Sequence, residues 1–111
     1  SPLRIGSLEL GCLFWESEVD SLYSVVFDLG AFIRFDSISL ELEEHLEVDL
    51  LNLMLDGRLV EVNVSRESSC QLHLRPVDQS VPFIGRYPML KASSALLLSI
   101  KGFSIKELSL V

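Results

Sequence analysis

Cysteine is scarce in this 111-residue chain, which has only Cys12 and Cys70. At most one disulfide can form, so a disulfide-dense secreted scaffold is excluded. Two buried free thiols are the expectation, because free cysteine is among the most buried residue types. Positive charge is scarce too: 9 Lys and Arg stand against 16 Asp and Glu, a formal charge of -7. Nucleic-acid binding rests on cations neutralising phosphates, so no nucleic-acid partner is expected, nor docking on anionic lipid. The longest uncharged apolar run, Ala95 to Ile100, falls far short of the roughly 20 residues of a membrane helix, and no membrane insertion is expected. No basic stretch leads into an apolar one as in a signal peptide. The low use of cysteine fits a cytoplasmic protein, and the Ser1-Pro2 start reads as that of an excised domain. Glycine is sparse as well, and no Gly-rich phosphate loop is present.

What the chain does have is hydrophobicity, at 49% of residues, and a length that suits one domain. The apolar residues recur with period two. Leu8, Leu10, Cys12 and Phe14 alternate with Glu9, Gly11, Leu13 and Trp15. Ile38, Leu40 and Leu42 alternate with Ser39, Glu41 and Glu43. Val60, Val62 and Val64 alternate with Glu61, Asn63 and Ser65, and Leu72 and Leu74 with Gln71, His73 and Arg75. Successive side chains of a strand point to opposite faces, so such runs make one buried and one wet surface. Parts of Tyr23–Phe35 are apolar on both faces, which suggests a central strand buried on each side.

Turn signals punctuate these runs. Asp56-Gly57 is a strong hairpin signal. Glu16–Asp20 and Ser65–Ser69 read as polar breaks, and the prolines of Pro76–Gly85 mark a loop. Leu40–Leu55 is ambiguous. Leu42, Leu46, Leu50 and Leu53 would form a helical stripe, but Leu46, Val48 and Leu50 also alternate with polar neighbours, and strand is favoured. The expectation is an all-β fold, a small closed barrel or sandwich of about seven or eight mostly antiparallel strands with at most one helix. Residues 1–111 form a single domain, with a barrel-like part at 8–79 and extra C-terminal strands at 80–111. The expected core is Leu10, Phe14, Val25, Phe27, Phe32, Val48, Val60, Val62, Leu72, Leu74, Leu97 and Ile105.

Chemistry-bearing constellations are thin. His45 and His73 lie on the wet side of alternating runs, and neither sits in a nucleophile elbow. Cys70-Gln-Leu-His73 has ligand-like spacing, but positions three apart on a strand point to opposite faces, and a structural zinc site needs four ligands. The acidic residues Glu41, Glu43, Glu44, Glu47 and Asp49 lack calcium-loop spacing and read as a solvated face. No catalytic residue, metal or cofactor is expected. Trp15, Arg86 and Tyr87 are the candidate ligand or interface residues, because with Glu16 they could join an aromatic platform to a polar rim if the end of the first strand meets the Gly85 loop.

Three families share vocabulary with this chain. Leu8–Trp15, Tyr23–Phe35, Glu44–Leu51 with Leu55–Val62, and Cys70–Arg75 follow an order that resembles the PilZ β-barrel. PilZ domains that bind cyclic di-GMP carry R-x-x-x-R and (D/N)-x-S-x-x-G motifs. Here Arg4 has no second arginine four residues away, and Val25-Val-Phe-Asp-Leu-Gly30 keeps only the glycine. Val25 and Phe27 put apolar atoms where the resemblance would need polar ones, so cyclic di-GMP binding is not expected. Ser37–Leu46 with Leu55–Arg58 is similar to the surface-presentation (SPOA) modules of flagellar and type III secretion assemblies, which implies a dimerising structural module. Val26–Gly30 and Phe103–Val111 look like parts of a galactose-binding-type sandwich, which implies carbohydrate binding. The functional expectation is a non-catalytic interaction or regulatory domain, not an enzyme. Its partner would be another protein or a second copy, because leucines in 50–59 and 95–98 are apolar on both strand faces and must cover two interiors or meet a partner.

Overall fold

A computed structural model describes residues 3–7, 13–45, 47 and 51–108. The chain is all-β, built as two antiparallel sheets packed face to face. β2 (Leu13–Val19) and β3 (Leu22–Asp28) form a hairpin whose two turn residues, Asp20 and Ser21, have φ of 52° and 63°. Positive φ at both central positions gives the turn the twist that flanking strands need. The polar stretch from Glu16 is therefore strand as far as Val19, and only two residues turn. β1 (Leu3–Ser7) adds to the outer edge of β2.

β4 (Ile33–Leu42) begins the second sheet. The chain leaves β3 at Asp28, whose carboxylate accepts the Gly30 N–H at 2.8 Å, and Gly30 takes φ 85°. This bend splits the apolar run Tyr23–Phe35 between the two sheets. It also strands Phe32, expected in the core, at 67% exposure in the link. β5 (Asn52–Leu55) and β6 (Arg58–Val60) make the expected hairpin over Asp56 and Gly57, at φ 50° and 81°. After Glu61 the chain passes directly from β6 into β7 (Val62–Ser68), which belongs to the other sheet. The polar residues 65–68, expected in a loop, are the end of this edge strand.

β7 pairs with β8 (Gln71–Pro76), and β8 with β4. Where β8 leaves β4, β9 (Phe83–Gly85) continues along the same edge. β10 (Pro88–Ala92) returns to the first sheet and lies between β3 and β5. A short 3-10 helix, Ala95–Ser99, carries Leu97 into the interior, and β11 (Ile100–Glu107) closes the other edge of β4. The six-stranded sheet thus has the order β1-β2-β3-β10-β5-β6. The five-stranded sheet has β11-β4-β8-β7, with β9 beside β4. The strands do not close into a barrel, and the arrangement is sandwich-like. Residues 80–111 supply β9, β10 and β11.

The interior is filled by inward residues of both sheets. Phe27 of β3 stacks on Phe103 of β11 with centroids 3.8 Å apart, and Phe35 meets Phe83 at 5.2 Å. Phe14, Val25, Leu72, Leu74 and Leu97 are buried as expected. Each such side chain contributes about 1.5–3 kcal/mol relative to exposure. Val60, Val62 and Ile105 are only half-buried, because they lie on edge strands where one sheet no longer covers the other. Leu10, Val48 and Cys12 lie outside the described residues. Cys70 is a free thiol, half-buried rather than buried.

Candidate functional site

Five strands of the six-stranded sheet, β2, β3, β10, β5 and β6, carry apolar side chains on both faces. Pairing places Trp15 of β2 opposite Val26 of β3, Val26 opposite Met89 of β10, Met89 opposite Met54 of β5, and Met54 opposite Leu59 of β6. Their sequence neighbours Phe14, Phe27, Leu90 and Leu53 face the interior. By the alternation of strands, these five residues form one row across the outer face. Trp15, Val26, Met54 and Met89 shelter one another and are half-buried. Leu59 ends the row at 69% exposure, and Val19, Leu22 and Tyr87 are exposed at the margins.

The apolar surface continues around the β6 edge. A cleft of about 540 Å³ lies between the β5–β6 hairpin and the link before β9, lined by Leu59, Val60, Val77, Val81 and Ile84 with Arg58 and Asp78 among its polar members. A second depression of about 610 Å³ joins Leu22, Met54, Leu59 and Lys91 on the sheet face.

Two carboxylates fasten the chain where it crosses from β9 to β10. Asp28 binds Arg86 through both of its oxygens, at 2.8 Å to Nε and 3.2 Å to Nη2. The Arg86 guanidinium, and after it the Gly30 N–H, hold the Asp28 carboxyl below its ordinary 3.8, and the same contact raises Arg86. Asp56 accepts the Tyr87 N–H at 2.8 Å and the Arg86 N–H at 3.1 Å, while its own N–H donates to the Tyr87 carbonyl. Gly85 sits beside this knot: a Cβ there would lie 2.6 Å from Asp56 Oδ2 and 2.7 Å from Leu55 Cγ. Arg86 also lies over the Tyr87 ring, 5.1 Å from its centroid.

Of the expected trio, Arg86 and Tyr87 are brought together, while Trp15 stands on another strand. Trp15 is in β2, two strands away from β10, and Arg86 is taken up by Asp28. Glu16 faces the interior, opposite in direction to Trp15, and is buried. Val25 and Phe27 are buried on the same inner face.

The five-stranded sheet brings together residues that the sequence keeps apart. His73 Nε2 lies 2.9 Å from Ser39 Oγ, and Nδ1 lies 3.1 Å from Arg75 Nη2 and 3.5 Å from Glu67 Oε1. The layout has the members of a hydrolase triad. Arginine only donates and a carboxylate only accepts, so the two neighbours of Nδ1 call for opposite tautomers of the ring. Among the described residues, no group of three or more His, Cys, Asp or Glu side chains is arranged to hold a metal ion. No helix among them is long and apolar enough to cross a membrane.

The outer row was missed from sequence because cross-strand register is not written in it. A signal was present in the failing alternation of 22–29 and 50–59. The chain matches no protein-family model, no curated protein and no solved structure.

Proposed function

We propose that this chain is a non-catalytic interaction domain that docks a protein through the outer face of its six-stranded sheet. The observation that carries this reading is the row Trp15, Val26, Met89, Met54 and Leu59. A sheet that is apolar on both faces is built as an inner layer, and here the interior accounts for one face only. Large, rigid or adaptable apolar groups such as Trp and Met are those enriched at protein contacts. Among the described residues, Lys91 lies on this face two residues from Met89, and Asp28 is paired with Arg86.

Binding of an apolar fluorescent dye tests the openness of the face. The wild-type protein should bind more dye than Met54→Lys, with unchanged far-UV circular dichroism in both. Equal, negligible dye binding by the two proteins would overturn the reading.

A further inference from the structure

We infer that His73 is a proton-driven exchange point on the outer face of the five-stranded sheet: its neutral ring holds Arg75, and its protonated ring releases Arg75 and takes Glu67. This is the sheet opposite the proposed docking face. His73 sits mid-strand in β8, between Ser39 of β4 and Ser65 of β7. Its side chain is 28% exposed, so the ring is neither sealed from protons nor freely hydrated. Nε2 lies 2.9 Å from Ser39 Oγ. At the other ring nitrogen two opposite charges converge, with Arg75 Nη2 at 3.1 Å and Glu67 Oε1 at 3.5 Å from Nδ1. Glu67 reaches it from the β7 irregularity between Arg66 and Ser68, a bulge of the kind that re-aims a side chain.

A neutral imidazole has one N–H and one lone pair, and a protonated one has two N–H groups. With the single proton on Nε2, that N–H donates to Ser39 Oγ and the Nδ1 lone pair accepts from Arg75. The distances favour this arrangement, since 3.1 Å is a hydrogen bond and 3.5 Å lies beyond the usual range. A second proton can enter only at Nδ1. It points a donor at the Arg75 donor and sets two positive charges side by side, so the guanidinium leaves. Glu67 then needs to move less than about 1 Å to accept the new N–H in a charge-assisted bond. Ser39 Oγ accepts from Nε2 in both states, so the ring keeps its place and the exchange is confined to the Nδ1 side.

The strands beside β8 leave this exchange to Arg75 and Glu67. On β4, Glu41 is engaged by Lys101 of β11 and Asp36 by Lys106 of β11, while Arg34 lies at the far end beside β9. On β7, Arg66 donates to the Ser69 carbonyl, and Asn63 and Ser65 are neutral, as is Gln71 on β8 itself. Histidine is the side chain whose ordinary titration falls between about pH 5 and pH 8, and carboxylates and guanidinium groups keep their charge across that range. Acidification thus adds a charge to the polar face and frees a guanidinium there, with the outer face of the other sheet untouched.

Nitrogen NMR of the imidazole rings between about pH 8 and pH 5 tests this. At the alkaline end His73 should carry its proton on Nε2. On acidification the Arg75 guanidinium signals should shift in step with the His73 titration. His45, the other histidine, is exposed beside Glu47 and serves as the reference within the same sample. Arg75→Gln should raise the proton affinity of His73 about twofold to fivefold, the change expected from removing one charge across a solvated contact. Glu67→Gln should lower it by a similar factor, and His45 should titrate alike in all three proteins. Both substitutions lie on the outer face and leave the interior intact, so the variants fold. An alkaline form with the proton on Nδ1 would overturn the inference, because Glu67 would then hold the neutral ring. So would Arg75 signals that do not follow His73, or a His73 titration that either substitution leaves unmoved.

Discussion

The two sheets share one interior but differ on their outer faces. On the five-stranded sheet, Ser39, Glu41, Asn63, Ser65, Glu67, Gln71, His73, Arg75, Ser104 and Lys106 occupy outward positions, with Ile84 of β9 an exposed apolar exception opposite Arg34. Ion pairs cross it, with Lys101 Nζ 3.6 Å from Glu41 and Lys106 Nζ 3.9 Å from Asp36. Away from the irregularities at Ser37 and at the β11–β4 and β7–β8 register shifts, its strands alternate as those of a sheet with one wet face do. The six-stranded sheet puts Trp15, Val26, Met89, Met54 and Leu59 outward instead. The fold needs only the inner faces, and the five-stranded sheet shows that a polar outer face is compatible with it. The apolar outer face is the difference on which the proposed docking role rests.

The sharpest way to break this contrast is to truncate neighbours in β3. Phe27→Ala removes a ring stacked between the sheets and should cost about 3–5 kcal/mol in chemical denaturation. Val26→Ala, one residue away on the outer face, should cost about 1 kcal/mol or less at concentrations where the chain is monomeric. Equal losses would mean that the outer face is already covered within one chain.

Gly85→Ala comes next. The added methyl meets Leu55 and Asp56 at the crossing into β10, and overpacking of this kind costs about 1–3 kcal/mol. A lowered midpoint of thermal unfolding reads it. An unchanged midpoint would show that the hairpin at Asp56 yields freely.

Lysine on the two outer faces should leave monomer stability within about 0.5 kcal/mol for Ser65→Lys on the five-stranded sheet. Met54→Lys should move it only slightly more, while lowering dye binding. Stability loss in Met54→Lys as large as in Phe27→Ala would erase the distinction between the faces.

The smallest effect concerns acid. Asp28 is held below its ordinary 3.8 by Arg86 and by the Gly30 N–H, and Asp78 is held low by the Ser80 hydroxyl and N–H. A carboxyl lowered in the folded state contributes stability above its unfolded value, and that contribution is lost as pH falls through the folded value. Stability should therefore decline below about pH 4, and Asp28→Asn should flatten part of that decline in denaturation midpoints collected between about pH 2 and pH 5. A variant whose acid limb parallels the wild type would show that Asp28 adds nothing to the pH dependence.

Alternation made the inner faces readable before any coordinates. Phe14, Val25, Phe27, Leu72 and Leu74 follow from period two alone, and the Asp56-Gly57 turn follows from its need for positive φ. The strand count and the sheet membership were harder. Tyr23–Phe35 reads as one run because Leu29, Phe32 and Ile33 are apolar, yet the Asp28–Gly30 bend sends its halves to different sheets. Phe32 was misplaced for that reason, and Val60, Val62 and Ile105 because edge position is a property of topology. The outer row was half legible. Its strands showed apolar residues on both sides, but that Trp15, Met89 and Met54 align depends on β10 lying between β3 and β5.

That placement of β10 also governs when the domain can form. β3 and β5 are the neighbours of β10, so during synthesis the six-stranded sheet stays divided until residues 88–92 have been made. Until then the β2–β3 and β5–β6 hairpins each present an unpaired edge, the kind of edge that recruits other chains. Contacts so distant in sequence put folding in the range of roughly milliseconds to seconds typical of sandwich topologies. A nascent chain stalled before Pro88 would therefore be the species most in need of protection from aggregation.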